Sequence, residues 1–243
     1  MLTPVSIYLR LRSKFKNCIL LESSDYHGDE HNFSYICFQP IAGFKVEGDN
    51  FIANYPDNSE NKISLNENKL TECTNSFIES FNIQHSKLNI ITSGLFGYMT
   101  YDIVQYFEDI TLNKPTPEIP IAQYHCYQYI IAFNHFNHEL FIVKNNVDGC
   151  ENDPTTLDEI ESIIKFKPLQ LDNFSSDAEK TSNLTDTEYL EMVNKGKQSC
   201  YRGDVFQIVL SRQFQQKYRG DDFNVYRALR SVNPSPYCFY FDF

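Results

Sequence analysis

Strand-like segments dominate the first two-thirds of this chain, and they follow one another with few helices between them. Residues 18–54 and 121–145 carry most of these segments, and turn residues such as Pro40 separate them. Parallel strands need long crossover connections, whereas antiparallel strands need only short turns. We therefore predict an α+β fold in which antiparallel sheet layers carry flanking helices.

Two short stretches in the first two-thirds of the chain have apolar residues at helix-like spacing. Residues 70–82 and residues 155–165 each predict a helix, whereas the polar residues 56–69 predict an exposed loop. Gly94 and Gly97 suggest a close approach of the backbone at a strand end. We expect a helix to follow from about residue 100.

A polar stretch divides the chain in two. Residues 168–184 are rich in Ser and Asp, and we predict that they form a linker between an N-terminal region, 1–167, and a second region, 185–243. The second region begins with Thr185 and Glu188, which match the capping box of a helix. Gly203 is the expected end of that helix.

The second region then predicts a strand, a helix and another strand. The first strand covers 205–214, and Asp221 or Asp222 caps the helix. The run 237–241 is a strand of aromatic residues that needs partners on at least one face. We therefore expect residues 185–243 to start a second layer on the sheet, in a fold that is truncated before completion. The alternative is a small complete second domain.

The charge balance argues against a general nucleic-acid binder. The formal net charge is −11, the opposite of what phosphate binding favours. Residues 195–230 differ, with eight basic and three acidic side chains. This stretch is either a solvated face or a positive wall near an anionic small substrate. Its basic residues are Lys195, Lys197, Arg202, Arg212, Lys217, Arg219, Arg227 and Arg230.

Cysteine, histidine and apolar patterns exclude several other classes of protein. The seven cysteines are widely spaced, and their number is odd, which fits reduced thiols in a cytoplasmic protein. His135 and His138 flank what looks like a hairpin turn, so a solvated turn is a better interpretation than a metal site. No apolar run reaches the roughly 18 residues that a membrane span needs.

Three segments together resemble the large subunit of anthranilate synthase, component I, a chorismate-utilising enzyme. They are Leu20–Ser23, then Leu95–Asp102 with Tyr106–Glu108, and finally Gly203–Ser211 with Tyr226–Arg230 and Asn233–Tyr237. The resemblance covers essentially the whole chain but only the N-terminal half of the family's usual length. It implies a component I-like α+β fold in which 185–243 begins an incomplete chorismate-binding domain.

The resemblance also implies an activity and its partners. Component I converts chorismate and ammonia to anthranilate and pyruvate, as a lyase, in the first step of tryptophan biosynthesis. A glutamine amidotransferase subunit, component II, supplies the ammonia within a heterotetramer, and L-tryptophan inhibits the enzyme. The family's Mg²⁺ ligands would lie beyond Phe243, so we assign no metal ligand or catalytic carboxylate in this chain.

By the same resemblance, Glu22, Ser23, Pro236, Tyr237 and Cys238 bind the inhibitor L-tryptophan. A zwitterionic ligand with an indole needs a carboxylate for its ammonium group and a flat apolar wall for its ring. Glu22 supplies the carboxylate, and the stiff turn around Pro236 supplies the wall. Cys238 stands where the family leads us to expect a methionine.

Gln207 is the one candidate on the catalytic side. It interrupts an apolar run, and a buried amide without a partner costs roughly 1–3 kcal/mol, so we expect it to be bonded. A plain bond to the backbone is the alternative to a role in the reaction. Related chorismate enzymes that add water carry a lysine base here, by resemblance, and an uncharged Gln fits an enzyme whose nucleophile is ammonia.

Two other functions compete with this one. Component I of aminodeoxychorismate synthase shares the fold and the substrate, although the segments Phe96–Asp102 and Asn233–Tyr237 favour anthranilate synthase. Alternatively, these 243 residues alone form a tryptophan- and partner-binding module without a complete active site. We expect the isolated chain to be inactive.

Overall fold

The structure is a computed structural model, and it describes residues 2–23, 32–84, 86–112, 118–169 and 171–243. The helices are α1 (Pro4–Arg12), α2 (Leu70–Glu79), α3 (Leu157–Phe166), α4 (Asp186–Arg202) and α5 (Phe223–Val232), and a 3-10 helix covers Tyr101–Tyr106. The strands are β1 (Ile19–Ser23), β2 (Phe33–Glu47), β3 (Asn50–Asn54), β4 (Glu60–Ser64), β5 (Phe96–Met99), β6 (Ala122–Asn134), β7 (Leu140–Lys144), β8 (Phe174–Ser182), β9 (Phe214–Gly220) and β10 (Tyr237–Phe241).

An eight-stranded antiparallel sheet organises the described residues. Its path runs β10-β1-β2-β3-β4, and β6 pairs with β2, β5 and β7. All of these pairings are antiparallel, and short turns join β2 to β3 and β6 to β7. The predicted antiparallel α+β fold is therefore confirmed.

Strand β2 is long enough to pair with different neighbours along its length. Its first half pairs with β1 and its last five residues pair with β3, while β6 follows nearly all of it. The register shifts between Pro40 and Ala42, where Gln39 has a φ of 60°. A proline cannot donate to the ladder and is tolerated at such a bulge.

One face of the sheet packs an aromatic cluster against α2. The ring of Phe44 lies 4.9 Å from that of Phe51 and 5.5 Å from that of Phe77 on the helix. Leu70 and Phe77 are buried, as the spacing in 70–82 predicted. The helix predicted at 155–165 is also present as α3.

Helix α1 was not predicted, although the sequence carries a signal for it. The Thr3 hydroxyl caps the helix by accepting from the Ser6 amide, and Pro4 takes the first turn, where its missing amide costs nothing. Tyr8 then packs edge-on against Tyr240 of β10, with ring centres 5.8 Å apart. Helix α1 is therefore fixed to the same end of the sheet as the chain's last strand.

Two other local expectations were wrong or incomplete. The loop predicted at 56–69 contains β4, whose polar residues hide a strand that pairs with β3. The helix expected from about residue 100 is the short 3-10 helix. Gly97 does meet a close approach, because a β-carbon there would clash with the Gln123 carbonyl oxygen, whereas at Gly94 one would meet open space.

The chain divides into two compact units. One contains the residues up to 170 together with Arg230–Phe243, and the other contains Leu171–Leu229. The aromatic run at the end was expected in a second layer, but it forms β10 of the first sheet and pairs with β1. An edge strand leaves backbone groups unpaired, and β10 satisfies those of β1.

The second unit holds α4 and a two-stranded ribbon of β8 and β9. The capping box at Thr185 and the end of α4 at Gly203 are confirmed. The linker expected at 168–184 instead contains strand β8, which is exposed along its whole length and therefore has a polar sequence. The strand expected at 205–214 is wrong, because ladder pairing with β8 starts only at Phe214.

Candidate functional site

The ladder between β1 and β10 brings together two segments that are more than 200 residues apart. Glu22 pairs with Cys238, and Ser23 pairs with Tyr237, while Pro236 comes directly before β10. The buried side chain of Leu20 anchors β1, so the polar residues that follow it reach the end of the ladder. All five residues proposed for the tryptophan pocket therefore lie at one place, and whether they bind tryptophan stays a prediction.

The paired residues point alternately to the two faces of the sheet. Cross-strand partners share a face, so Glu22 and Cys238 lie on the face that carries Tyr240 and α1. Ser23 and Tyr237 lie on the other face, and the Tyr237 side chain is largely exposed. The end of the ladder therefore carries one of these two pairs on each face of the sheet.

Glu22 is the only carboxylate that is buried among the residues the structure describes. Its Oε2 lies 3.0 Å from Nε of Arg230, near the end of α5, and the exposed fractions of the two side chains are 2% and 45%. A buried charge is costly unless a partner compensates it, and the guanidinium does so here. The sequence places Arg230 in the basic stretch and in the segment Tyr226–Arg230, and neither pattern indicates its pairing with Glu22.

A serine and a histidine form a second polar pair beside the same strand end. The Ser34 hydroxyl accepts from the Ser23 amide at 3.1 Å and lies 2.6 Å from Nε2 of His135. Partial burial lowers the pKa of His135, and the charges of Arg230 and His138 lower it further. The hairpin turn expected around His135 is present, but the His135 ring is only partly exposed because it contacts Ser34.

Gln207 does not lie where the sequence placed it. It is exposed, and no strand includes it, so the expectation of a buried amide in a strand is wrong. The neighbouring residues Ile208 and Leu210 lie against Gly196 of α4, where a β-carbon would be 3.2 Å from Leu210 Cδ1. Its role in the reaction stays a prediction.

Within the second unit, two arginines of the basic stretch have acidic partners. Arg212 Nη1 lies 2.6 Å from Asp186 Oδ1, and Arg202 Nη2 lies 2.7 Å from Asp204 Oδ2. The guanidinium of Arg212 also lies 4.7 Å from the ring centre of Phe214. These two charges therefore have partners within the second unit, and Arg230 is paired with Glu22, so the proposed positive wall is limited to the other five basic residues of the stretch.

No group of three or more His, Cys, Asp or Glu side chains in the described ranges could hold a metal ion. Across the same ranges, no helix is both long enough and apolar enough to cross a membrane.

Comparison with known proteins links this chain to anthranilate synthases. Component 1 of the Aquifex aeolicus enzyme is 29% identical over 269 residues, which cover 99% of this chain and 51% of that protein. Component 1 from Lactococcus lactis is 28% identical and covers all of this chain and 53% of its own length. The chain thus spans about half the length of these curated relatives.

A solved structure supports the fold independently. Anthranilate synthase component I from Streptococcus pneumoniae matches 96% of this chain and 51% of its own, with a TM-score of 0.54 and 19% identity. The family model described as chorismate binding enzyme matches residues 16–243, which include both strands of the candidate site. This chain therefore belongs to the family of chorismate binding enzymes.

Proposed function

We propose that this chain is the N-terminal half of component I of an anthranilate synthase, a lyase that converts chorismate and ammonia to anthranilate and pyruvate. The observation that carries the proposal is the match to proteins named anthranilate synthase component 1 along essentially the whole chain. The antiparallel sheet with β10 returning to β1 is compatible with the solved component I.

The proposal includes the partners of the reaction. A glutamine amidotransferase subunit supplies ammonia within a cytoplasmic heterotetramer, and Mg²⁺ assists at the chorismate site. We propose that the ligands of Mg²⁺ belong to the C-terminal half of the enzyme rather than to this chain. Gln207, uncharged and exposed near α4, is proposed on the side of the ammonia nucleophile, where it would leave the proton transfer to other groups.

Regulation by L-tryptophan is proposed at the end of the β1–β10 ladder. The support is that Glu22, Ser23, Tyr237 and Cys238 stand opposite one another there in register. A carboxylate, a hydroxyl and an aromatic ring within one strand end match the groups of an indole-bearing amino acid. Binding at this end would fasten β10 to β1.

The test joins this chain to the C-terminal half of the Lactococcus lactis component 1. The chimera is incubated with chorismate, an ammonium salt and Mg²⁺, and the product is identified by its fluorescence and by chromatography. Anthranilate supports the proposal, whereas aminodeoxychorismate identifies the rival synthase. The matched control is the same chimera with the residues of β10 replaced by Gly and Ser, so that β10 can no longer pair with β1. A chimera that folds but forms neither product contradicts the proposal.

A further inference from the structure

Strand β10 lies at an edge of the large sheet. In the ranges that the structure describes, β10 (Tyr237–Phe241) pairs with β1 and with no other strand. An edge strand presents a row of backbone N–H and C=O groups to which a strand of another chain can pair, and charged side chains or proline usually protect it. The edge strand β4 carries the exposed Glu60 and Lys62, whereas β10 contains neither a charge nor a proline. Strand β10 is therefore an unprotected edge.

The hydrogen bond at the end of the ladder shows which backbone groups of β10 point away from β1. Cys18 and Asp242 stand opposite each other, one position past the last pair of the ladder, and the Asp242 amide donates to the Cys18 carbonyl oxygen at 3.2 Å. In an antiparallel ladder, hydrogen-bonded pairs alternate with pairs that make no such bonds. Counting back from Asp242, Tyr240 and Cys238 bond to β1. The residues whose backbone groups point outward are Tyr237, Phe239 and Phe241.

The same three residues place their aromatic rings on one face of the sheet. The exposed fractions of Tyr237 and Phe239 are 73% and 63%. The ring centres of Phe239 and Phe241 are 5.2 Å apart, and the ring of Phe241 stacks on that of Phe243 at 5.3 Å. The outward edge of β10 therefore combines backbone groups that can form a ladder with an exposed row of aromatic rings.

A second copy of β10 fits this edge when it lies antiparallel beside the first. With a two-fold axis at Phe239, this residue stands opposite its own copy, and Tyr237 stands opposite the partner's Phe241. The outward groups of each residue then bond to the residue opposite, as in the hydrogen-bonded pairs of an antiparallel ladder. Aromatic pairs on one face add to the stability of such a ladder, and no charge stands opposite a like charge. One surface thus serves both copies, as in isologous dimers.

We propose that two copies of this 243-residue chain form a dimer by antiparallel pairing of their β10 edges, centred on Phe239. The two eight-stranded sheets become one continuous sheet across the two-fold axis. The interface is small, since each copy contributes one strand of five residues, so the dimer is in reversible equilibrium with the monomer. The proposal goes beyond the proposed function and does not depend on it.

Analytical ultracentrifugation over roughly 1 to 100 μM tests the dimer, because the mean mass should rise with concentration from 28.4 kDa towards twice that value. Phe239→Pro removes an outward N–H group that the ladder to β1 does not use, and it should weaken the dimer by roughly 100-fold or more. Phe239→Ala keeps this N–H group and should weaken the dimer by only about tenfold. Ile78→Ala, at an exposed position of α2, is the control and should change nothing. Thermal unfolding checks that each variant is folded.

A cross-link tests the register of the two strands. In Phe239→Cys, the new thiol meets its own copy at the two-fold axis, where the α-carbons of a hydrogen-bonded pair are about 5.5 Å apart, a separation that suits a disulfide. Mild oxidation with oxidised glutathione should therefore join position 239 of one copy to position 239 of the other. Peptide mapping identifies the bond, because the chain also has the exposed Cys200. Ile78→Cys is the control and should form no such bond between copies.

Three results would overturn the proposal. A chain that stays monomeric at every concentration has its β10 edge satisfied without a second copy. A dimer that persists in Phe239→Pro uses another surface. A cross-link from position 239 to a different position shows that the strands do not pair in this register. The formation of anthranilate by the chimera decides the proposed function separately from all three.

Discussion

The hydroxyl oxygen of Ser34 and Nε2 of His135 lie 2.6 Å apart, although 101 positions separate them in the sequence. The pairing of β2 with β6 places Ser34 opposite Phe133. His135, just after the end of β6, therefore lies next to Ser34. The Ser34 hydroxyl accepts from the Ser23 amide and lies within hydrogen-bond distance of Nε2 of His135. Ser34 and His135 therefore form a chain of polar contacts that holds the end of β1.

The pair makes the stability of the chain depend on pH. Burial, Arg230 and His138 lower the pKa of His135 in the folded state, so the unfolded chain binds more protons as the pH falls. The free energy of unfolding should rise from about pH 5 to about pH 7 and be fully gained above the unfolded pKa of about 6.5.

Urea unfolding of His135→Gln across this range should show a smaller rise than the unsubstituted chain. The comparison variant is His138→Asn, at a position with a φ of 60° where asparagine is tolerated; it removes one cause of the lowered pKa of His135 and should reduce the rise less than His135→Gln does. His125, whose pKa burial also lowers, keeps its share of the pH dependence in both variants. Parallel curves for His135→Gln and the unsubstituted chain would contradict the assignment.

Gly97 is predicted to be intolerant of any side chain. An added β-carbon would clash with the Gln123 carbonyl oxygen, because β5 lies directly beside β6 there. Gly97→Ala should lower the free energy of unfolding by about 1–3 kcal/mol, the usual cost of overpacking. Gly48→Asn is the control, since nothing lies within 4 Å of its site and asparagine adopts its φ of 54°. Equal unfolding midpoints for the two variants would show that β5 can move away.

The third prediction concerns the activity of the isolated chain. The 243-residue chain should form no anthranilate from chorismate with either ammonia or glutamine, because it matches only about half the length of the component 1 proteins and the proposed reaction needs the other half as well. Anthranilate fluorescence is compared with a protein-free sample and with the chimera as the positive control. A signal above the blank that scales with the concentration of the chain would refute the prediction.

Strands that bury one face and helices with strong caps could be predicted from the sequence. The antiparallel sheet and the capping box at Thr185 are of this kind, and they follow from periodicity and local hydrogen bonding. Strand β8 was missed because both of its faces are exposed, so no apolar alternation marks it. A polar composition indicates that a segment is exposed to solvent. It does not distinguish an exposed strand from an exposed loop.

Some residues of the candidate site could be expected from the sequence, whereas others could be found only in the structure. The family resemblance led us to expect Glu22 and Cys238 in one place, and they are paired. The sequence did not place Arg230 or His135 at this site. Each has a partner far away in the sequence, Glu22 for Arg230 and Ser34 for His135, and only the folded structure brings these partners together. One signal was available, since a carboxylate that follows a buried strand needs a cation, and the nearest basic residue before the turn into β10 is Arg230.

The last prediction concerns Ser23, the final residue of β1. Its amide donates to the Ser34 hydroxyl, and its strand partner is the exposed Tyr237, so its side chain lies at the last pair of the ladder. A large side chain at this position would fill the space that the proposed pocket leaves for an indole, while the backbone bond to Ser34 stays intact. Ser23→Phe should therefore weaken L-tryptophan binding by roughly tenfold or more, the loss of at least one good contact. In the chimera, it should relieve inhibition by tryptophan and leave the rate of anthranilate formation largely unchanged. Ser76→Phe, on the exposed side of α2, controls for the added aromatic surface and should leave binding as it was. A Ser23→Phe chain that binds L-tryptophan as tightly as the unsubstituted one would place the inhibitor elsewhere.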